Sequence, residues 1–587
     1  MKRIQDIIEE QIKNAFVGAG YDAEYGKVGI SNRPDLCQYQ CNGAMAAAKQ
    51  YHKAPFMIAD EVAAALADNV MFEKIESVKP GFIKIIINPS YLSEYVNEMS
   101  KADKFGLNAP QKVQKIIIDY GGPNVAKPLH VGHLRAAIIG ESVKRIARYI
   151  GHDVIGDVHL GDWGLQIGLI ITELKKRKPD LVYFDESYEG EYPANPPFNM
   201  SELEEIYPYA SGYSKEHPEY LKEAQQATAD LQGGNRGYHA LWQHIIDVSV
   251  ADIKKNYERL NVEFDLWKKE SDVQCYIADM VQMMKDDAHE SEGALVVDVK
   301  EDSDTKEIPP CIILKSNGAT NYETTDLATI IERIKLFNAE RIIYVVDKRQ
   351  SLHFEQVFRC ARKTGLVNDD TDLVFVGFGT MNGKDGKPFK TREGGILRLE
   401  RLIDEINDAV YDRIVQNRDM PEDEARQIAA KVGLSALKYG DLSNQASKDY
   451  VFDVDRFTSF EGNTGPYILY SIVRIKSVLA KYADMGGRID EVKKILPAQN
   501  KSETDVMLCL VKYTDCIMQA YKENAPHKIC QYIYELSDAF NTFYHENKIL
   551  TCEDEERKES YIALLILVKE ILTQCIELLG FDAPEKM

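Results

Sequence analysis

The sequence predicts a multidomain α/β protein: an N-terminal α+β domain, a central parallel-sheet domain split by an insertion, and a C-terminal all-α helical bundle. Three observations carry this. From residue 113, short apolar runs alternate with helix-periodic stretches, the grammar of a parallel sheet with crossover helices. From about residue 399 to the end, apolar residues recur every three or four positions. A chain of 587 residues at roughly 150 per domain allows about four domains or fewer larger ones. Hydrophobic residues are 44% and charged residues 28%, near the usual globular values, which excludes disordered and fibrous classes.

Residues 1–110 form the first unit. Ile4 to Phe16 has helical apolar spacing, and Ala59 to Val70 reads as a second helix. Gly81 to Pro89 (GFIKIIINP) reads as a strand stopped by proline, which cannot donate to a ladder. Residues 111–398 form the second unit. Lys115 to Tyr120 (KIIIDY) is a buried-type strand, followed by a Gly-Gly-Pro turn, a helix from about Leu129 to Ile150 and a strand from Asp153 to Val158. A second series has strands at Ile312–Lys315, Arg341–Val346 and Leu373–Gly377, with helices at Asp326–Leu336 and His353–Thr364. Two βαβ series separated by an insertion predict a split Rossmann-like fold. The insertion spans about 178–310. Its first part, 178–241, holds YFDESYEGEYPANPP and SELEE, is aromatic and Pro-broken, and is expected on the surface. Residues 399–454 read as a helical connecting stem and 455–587 as a helical bundle.

The formal net charge is −22, from 71 basic and 93 acidic side chains. Affinity for phosphate comes from Lys and Arg, so this balance taken whole argues against a nucleic-acid partner. Its distribution reverses the argument. Residues 1–112 carry 13 basic and 14 acidic residues, and 455–587 carry 16 and 21, whereas 178–241 hold 4 basic against 12 acidic. RNA is expected along the nearly balanced ends, with the acidic insertion turned away. The first twenty residues lack an unbroken apolar stretch, and the longest apolar run, Ile562 to Val568, is too short to span a bilayer. No membrane partner is therefore expected. Ten cysteines are scattered singly apart from Cys37 and Cys41, with no second pair to complete a zinc site. They read as reduced thiols of a cytoplasmic protein.

The chemistry concentrates in Pro123–Asn124–Val125–Ala126–Lys127–Pro128–Leu129–His130–Val131–Gly132–His133, directly after a strand and opening a helix. His130 and His133 lie at i, i+3 on one helical face. Gly132 lacks a side chain, so a flat group can approach the backbone. The helix N-terminus supplies free N–H groups and partial positive charge, which suits a triphosphate. Pro123, Asn124, His130, Gly132 and His133 are thus the candidate ATP-binding residues.

This stretch resembles the "HIGH" signature of class I aminoacyl-tRNA synthetases, and PNVAKPLHVGHLRAAIIGE is similar to the form used by arginyl-tRNA synthetases of the bacterial type. The resemblance continues through HLGDWG from His159, Tyr322 to Asp326, QSLHFEQ from Gln350, GKDGKPFKTREGG from Gly383 and NTGPYILYSIVRI from Asn463. It implies the same multidomain fold and a two-step reaction: ATP activates arginine as the adenylate, and the arginyl group passes to the 2′-hydroxyl of the terminal adenosine of tRNA. It also implies that bound tRNA is needed for activation, that magnesium arrives with ATP without a dedicated protein metal site, and that the chain is a monomer with no DNA partner.

The family's second loop, Lys-Met-Ser-Lys-Ser, is replaced here by Phe389–Lys390–Thr391–Arg392. One lysine of the usual pair is missing, yet charge still builds on the leaving pyrophosphate and needs fixed cations. The resemblance implies that Lys127 supplies the missing charge beside Lys390, with Arg392 and Lys387 as helpers. The plain alternative for this Gly-rich stretch is a basic surface loop. A guanidinium needs carboxylates and other acceptors in fixed positions. The resemblance places Tyr322, Asp326 and Glu270 around it, and Asp119, Asn124, His130 and Gln350 around the amino and carboxylate groups. It makes the C-terminal bundle an anticodon-binding domain and the N-terminal unit a domain that meets the tRNA elbow. Tyr467, Tyr470, Arg474 and Lys476 combine aromatic and basic character suited to RNA, although a half-buried helix face gives the same pattern. Rival readings are a small-molecule nucleotidylyltransferase, a synthetase for another amino acid and a catalytically dead tRNA-binding paralogue. The large helical C-terminal region, the Tyr322/Asp326 pair and the retained Lys127, His130, His133 and Lys390 argue against them in turn.

Overall fold

The computed structural model describes residues 1–316, 318–387, 397–417, 420–492 and 494–587. The N-terminal unit contains α1 (Ile4–Gly18), β1 (Val28–Ile30), β2 (Tyr39–Cys41), α2 (Gly43–Tyr51), α3 (Pro55–Ala64), β3 (Phe72–Val78), β4 (Phe82–Ile87) and α4 (Pro89–Lys101). Its four strands form an antiparallel sheet in the order β1-β2-β4-β3. Ile83, Ile85 and Ile87 of β4 are buried while the residues between them are half-buried, the period-2 pattern of a sheet with one face on a core.

In the central unit β5 (Lys115–Tyr120), α5 (Val131–Ile150), β6 (Asp153–Leu160) and α6 (Leu165–Arg177) follow one another. The insertion adds α7 (Met200–Glu216), α8 (Pro218–Gln232) and α9 (Arg236–Arg259) before β7 (Leu266–Lys269). Then come α10 (Gln274–Met283), β8 (Ala288–Ser291), β9 (Ala294–Val297), β10 (Cys311–Leu314), α11 (Tyr322–Phe337), β11 (Arg341–Asp347), α12 (Ser351–Lys363), β12 (Asp372–Phe378) and β13 (Met381–Asn382). The main sheet runs β12-β11-β5-β6-β7 with every pair parallel. Ile116 and Ile118 of β5 enter the core shared with α5, whereas Ile117 enters a second core with α10, α11 and α12. Both faces are covered, as a parallel sheet requires. The strand order reverses between β5 and β11, and ligands of such sheets bind beyond the carboxyl ends at that point.

Several expectations need correction. The helix expected over Ala59–Val70 is α3, from Pro55 to Ala64, because Pro55 occupies the first helical turn, where its missing N–H costs nothing, and α2 precedes it unanticipated. The strand at Cys311–Leu314 is outside the parallel sheet. It pairs antiparallel with β9, and the fifth parallel strand is β7, whose four residues were too few to stand out. Residues 178–241 are mostly helical, not irregular: Asn199 caps α7, Pro218 sits in the first turn of α8, and Asn235 caps α9.

The chain continues with α13 (Leu399–Asn417), α14 (Glu422–Leu442), β14 (Tyr450–Val451), α15 (Val454–Phe457), α16 (Gly465–Asp484), α17 (Lys501–Leu510), α18 (Tyr513–Lys522), α19 (His527–Glu546) and α20 (Glu555–Leu579). β14 pairs parallel with β13, which joins the stem to the sheet domain. α13, α14, α18 and α20 all pack on α5. Among the described residues no helix is long and apolar enough to cross a membrane.

Buried polar contacts fix these packings. Arg135 of α5, 1% exposed, donates to Asp441 of α14 at 2.9 Å and to the carbonyls of Gly379 at 2.7 Å and Lys448 at 3.0 Å. The Tyr450 hydroxyl donates to the same Asp441 oxygen at 2.8 Å. Removing Arg135 alone strands a buried carboxylate, so Arg135→Met is expected to cost about 3–5 kcal/mol of unfolding free energy. The double variant Arg135→Met/Asp441→Leu is expected to recover most of that loss, checked by urea unfolding of the full-length protein.

Candidate active site

The signature histidines build the start of α5. His130 is the N-cap: its Nδ1 accepts the Gly132 N–H at 3.0 Å, and His133 Nδ1 accepts the His130 N–H at 3.1 Å. Two imidazoles thereby do what Ser and Glu do in an ordinary capping box, and their rings lie tilted by 35° with centroids 3.9 Å apart. A Cβ at residue 132 would lie 2.7 Å from the His130 ring. The space left by Gly132 therefore accommodates the His130 imidazole, a purpose different from the open approach its sequence position suggested. Burial, with the Lys127 charge nearby, pulls His130 below its ordinary value. Burial, then the charges of His130 and Lys127, pull His133 down to about 3. Both rings are neutral at neutral pH and present nitrogen without charge.

The turn before α5 is pinned to the end of β6. Val125 N–H donates to the Gly161 carbonyl at 3.0 Å, and Gly161 N–H donates to the Pro123 carbonyl at 3.2 Å. A Cβ at Gly161 would sit 2.0 Å from Asn124 Oδ1, so a side chain there would displace the Asn124 amide. On the other side, Val131 N–H donates to the Leu397 carbonyl at 3.2 Å and Leu399 N–H to the Leu129 carbonyl at 2.9 Å. The segment leaving the second signature loop thus lies along the first. Lys390 and Arg392 fall outside the described residues.

A cavity of about 420 Å³ opens beside this turn. Asn124, Lys127, Trp163, Tyr207, Glu270 and Tyr322 are among its lining. Tyr322, 68% exposed, starts α11, where Asn321 caps the helix by accepting from the Thr324 N–H at 3.0 Å. Asp326, one turn further on, meets His353 of α12, Oδ2 to Nε2 2.5 Å, while His353 Nδ1 lies 3.7 Å from Glu323. Burial works against the His353 imidazolium, but hydrogen bonds to Asp326 and Glu323 outweigh it and push the group up to about 9. Glu270 is pushed up to about 7, first by burial and then by repulsion from Asp162 and Asp326. This end of the cavity holds more negative charge than its own cations compensate.

Asp119, at the carboxyl end of β5, shares Arg333 with Asp157: one guanidinium nitrogen donates to Asp119 at 2.6 Å and to Asp157 at 2.7 Å. Arg333 is 1% exposed and lies 5.2 Å from the centre of the Tyr344 ring. Asp119 is therefore oriented from below by a buried cation. Gln350 lies exposed in the turn between β11, the strand next to β5, and α12.

Comparison with known proteins identifies the family. Residues 96–454 match the family described as tRNA synthetases class I (R), catalytic domain. Residues 468–587 match the DALR anticodon binding domain, and residues 2–87 match the arginyl tRNA synthetase N terminal domain. The chain is 63% identical to an arginine–tRNA ligase of Agathobacter rectalis, with 100% of both chains covered, and 57% identical to one of Alkaliphilus oremlandii, with 98% of each covered. This chain belongs to the arginyl-tRNA synthetases.

It is a bacterial-type class I arginyl-tRNA synthetase, a ligase whose substrates are arginine, ATP and tRNA. Its structure superposes on an arginyl-tRNA synthetase of Plasmodium falciparum with a TM-score of 0.79 at 25% identity, 100% of both chains covered. The Thermus thermophilus enzyme shares the fold, with a TM-score of 0.78 at 21% identity and 100% of both chains covered.

In this synthetase the four candidate RNA-contacting residues do not form one group. Tyr467 accepts from Asn541 at 2.9 Å, Arg474 donates to Asn541 at 2.6 Å and to Tyr470 at 3.0 Å, and the Arg474 guanidinium lies 4.6 Å from the Tyr470 ring centre. Lys476 is two residues and about 200° further round the helix, where it donates to Glu585 at 2.7 Å. α7 of the acidic insertion forms one wall of the cavity. Tyr207 and His353 went unrecognised because their significance lies in contacts between elements. The one local signal was the QSLHFEQ stretch, which contains His353.

The histidines yield a prediction with opposite signs. His353 has a folded value above the unfolded value of about 6.5, so its stabilisation is complete below about pH 6.5 and is lost as pH rises through about 9. His133 is depressed to about 3, so the folded state loses stability relative to the unfolded one as pH falls below about 6.5. Ring-nitrogen NMR is expected to show His353 still charged at about pH 8 and His133 neutral at about pH 5. Asp326→Asn is expected to return His353 toward its ordinary value.

Proposed function

We propose that this cavity and the start of α5 carry out arginine–tRNA ligation in two steps. An arginine carboxylate oxygen attacks the α-phosphorus of ATP, the bond to the β-phosphate breaks, and arginyl-adenylate and pyrophosphate result. The 2′-hydroxyl of the terminal adenosine of tRNA then attacks the arginyl carbonyl, and AMP leaves as the hydroxyl gives up its proton. Little side-chain acid–base chemistry is required, so positioning and charge stabilisation dominate. Magnesium enters with ATP and shields its phosphates.

The observation that carries this reading is that Lys127, Asn124, Glu270 and Tyr322 line one cavity at the N-terminus of α5. The phosphate end has Lys127, the neutral His130 and His133, and the turn made by Pro123, Asn124 and Gly132. Lys390 and Arg392 are proposed to add charge from the second loop. The arginine end has Glu270, Tyr322 and Asp326 for the guanidinium, with Asp119, Asn124, His130 and Gln350 for the amino and carboxylate groups. Its unbalanced negative charge suits a permanently charged planar cation. Tyr467, Tyr470 and Arg474 are proposed to meet the anticodon arm, and the N-terminal unit the tRNA elbow. We place the enzyme in the cytoplasm as a monomer.

Pyrophosphate exchange with each amino acid, with and without tRNA, tests this reading: exchange is expected with arginine alone and only when tRNA is present. Asp326→Asn is expected to weaken arginine binding by about 2–5 kcal/mol, read as arginine KM. Lys127→Ala is expected to lower turnover more than arginine affinity. Because guanidinium favours ionised Glu270, arginine affinity is expected to rise as pH rises through about 7. Glu270→Gln is expected to flatten that dependence while weakening binding, measured as arginine KM across pH.

A further inference from the structure

The insertion reaches the chemistry through α7. Glu204, Tyr207, Ser211 and Ser214 recur at three- and four-residue spacing and share one helical face. Tyr207, Ser211 and Ser214 line the cavity with Lys127 and Tyr322. α7 is held to both sides of the His130 turn. The Lys127 ammonium lies 4.7 Å from the Tyr207 ring centre. Glu204, one turn earlier, forms an ion pair with Arg398, and Arg398 belongs to the segment whose backbone pairs with Leu129 and Val131. The Glu204 side chain is only 11% exposed, so this contact fixes the helix and not merely its surface.

The nature of the Lys127 partner matters. Among the described residues, this ammonium rests on an aromatic face and on no carboxylate. A carboxylate would hold the ammonium and also cancel its charge. A ring quadrupole holds it weakly and leaves its charge available to an incoming anion. Lys127 is three residues before His130, and Tyr207 also stands close to Tyr322 at the other end of the cavity.

We propose that Tyr207 is a positioning residue for arginine activation, its ring face holding the Lys127 ammonium at the cavity in reach of the ATP phosphates. This rests on the reading of Lys127 as a phosphate cation. The insertion thereby supplies a part of the activation site, on a helix that its acidity would assign to the periphery.

The test is ATP–pyrophosphate exchange by the full-length enzyme with arginine and tRNA. Tyr207→Ala is expected to lower kcat about two- to thirtyfold, the range that one cation–π contact commands. Arginine KM should stay within about twofold, the signature of an interaction made mainly in the transition state. Tyr207→Phe and Tyr207→Trp should restore turnover, since the ring face is kept. Tyr207→Leu keeps apolar bulk and guards against loss of packing in α7, and it should be as slow as Tyr207→Ala with an unchanged melting temperature. In a Lys127→Ala background, Tyr207→Ala should have no further effect. Tyr207→Phe as slow as Tyr207→Ala, Tyr207→Leu as fast as the parent, or additive losses in the double variant would each overturn the proposal. Slow Lys127→Ala beside unimpaired Tyr207→Ala overturns it alone. Unimpaired Lys127→Ala overturns the phosphate reading and this proposal with it.

Discussion

The buried polar side chains of α5 are what the rest of the molecule is arranged around. Glu141 accepts from Tyr120 of β5 at 2.8 Å and pairs with Lys144 at 2.9 Å and Arg145 at 2.7 Å. Ser142 donates to the Leu578 carbonyl at 2.9 Å, Arg145 to the Glu577 carbonyl at 3.1 Å, and Lys438 of α14 to the Gly580 carbonyl at 2.8 Å. These carbonyls end α20, where a helix leaves acceptors unpaired and carries partial negative charge. Each such group gains little net stability after desolvation, but a misplaced partner would be costly. The contacts therefore specify where the stem and the terminal helix sit on α5. Because the opposite end of α5 carries His130, the same constraint positions the His130 turn against the bundle.

A second polar line runs along α11. Tyr322, Asp326, Thr329 and Arg333 fall at i, i+4, i+7 and i+11 and hence on one face. Tyr322 lines the cavity, Asp326 is held by His353, Thr329 lies 3.5 Å from His159, and Arg333 is sealed between Asp119 and Asp157. The face passes from solvent to the centre of the sheet, with two carboxylates to one cation at both levels: Asp326 and Glu323 to His353, and Asp119 and Asp157 to Arg333. Toward the cavity Glu270 is pushed up to about 7, first by burial and then by repulsion from Asp162 and Asp326. A site that is short of positive charge until its ligand arrives discriminates by the ligand's charge as well as its shape.

Local pattern was sufficient wherever a residue's role depends on its immediate neighbours. KIIIDY is a strand because branched apolar residues buried on both faces leave no other stable arrangement, and it is the central strand. The histidine pair signals a helix start because only near neighbours can cap one another. Local pattern did not reveal which sheet the strand at Cys311–Leu314 would join, since pairing partners are selected across the fold. Nor did it reveal that Lys476, on the opposite side of α16 from Arg474, meets Glu585 near the C-terminus. Nor did it reveal that α7 of the insertion turns Tyr207, Ser211 and Ser214 to the cavity.

By itself, the sequence determined the three-part architecture, the helix that carries His130 and His133, and the family to which this ligase belongs. These depend on periodicity, capping and motif spacing, all of which are short-range. Only the tertiary structure decided that Gly132 makes room for a histidine ring, that Asp119 and Asp326 are held by Arg333 and His353, and that Tyr207 meets Lys127. Apart from the Gly132–His130 packing, each of these is a contact between residues distant in sequence, fixed by helices and strands brought together through burial, and burial has no signature in the spacing of the residues it joins.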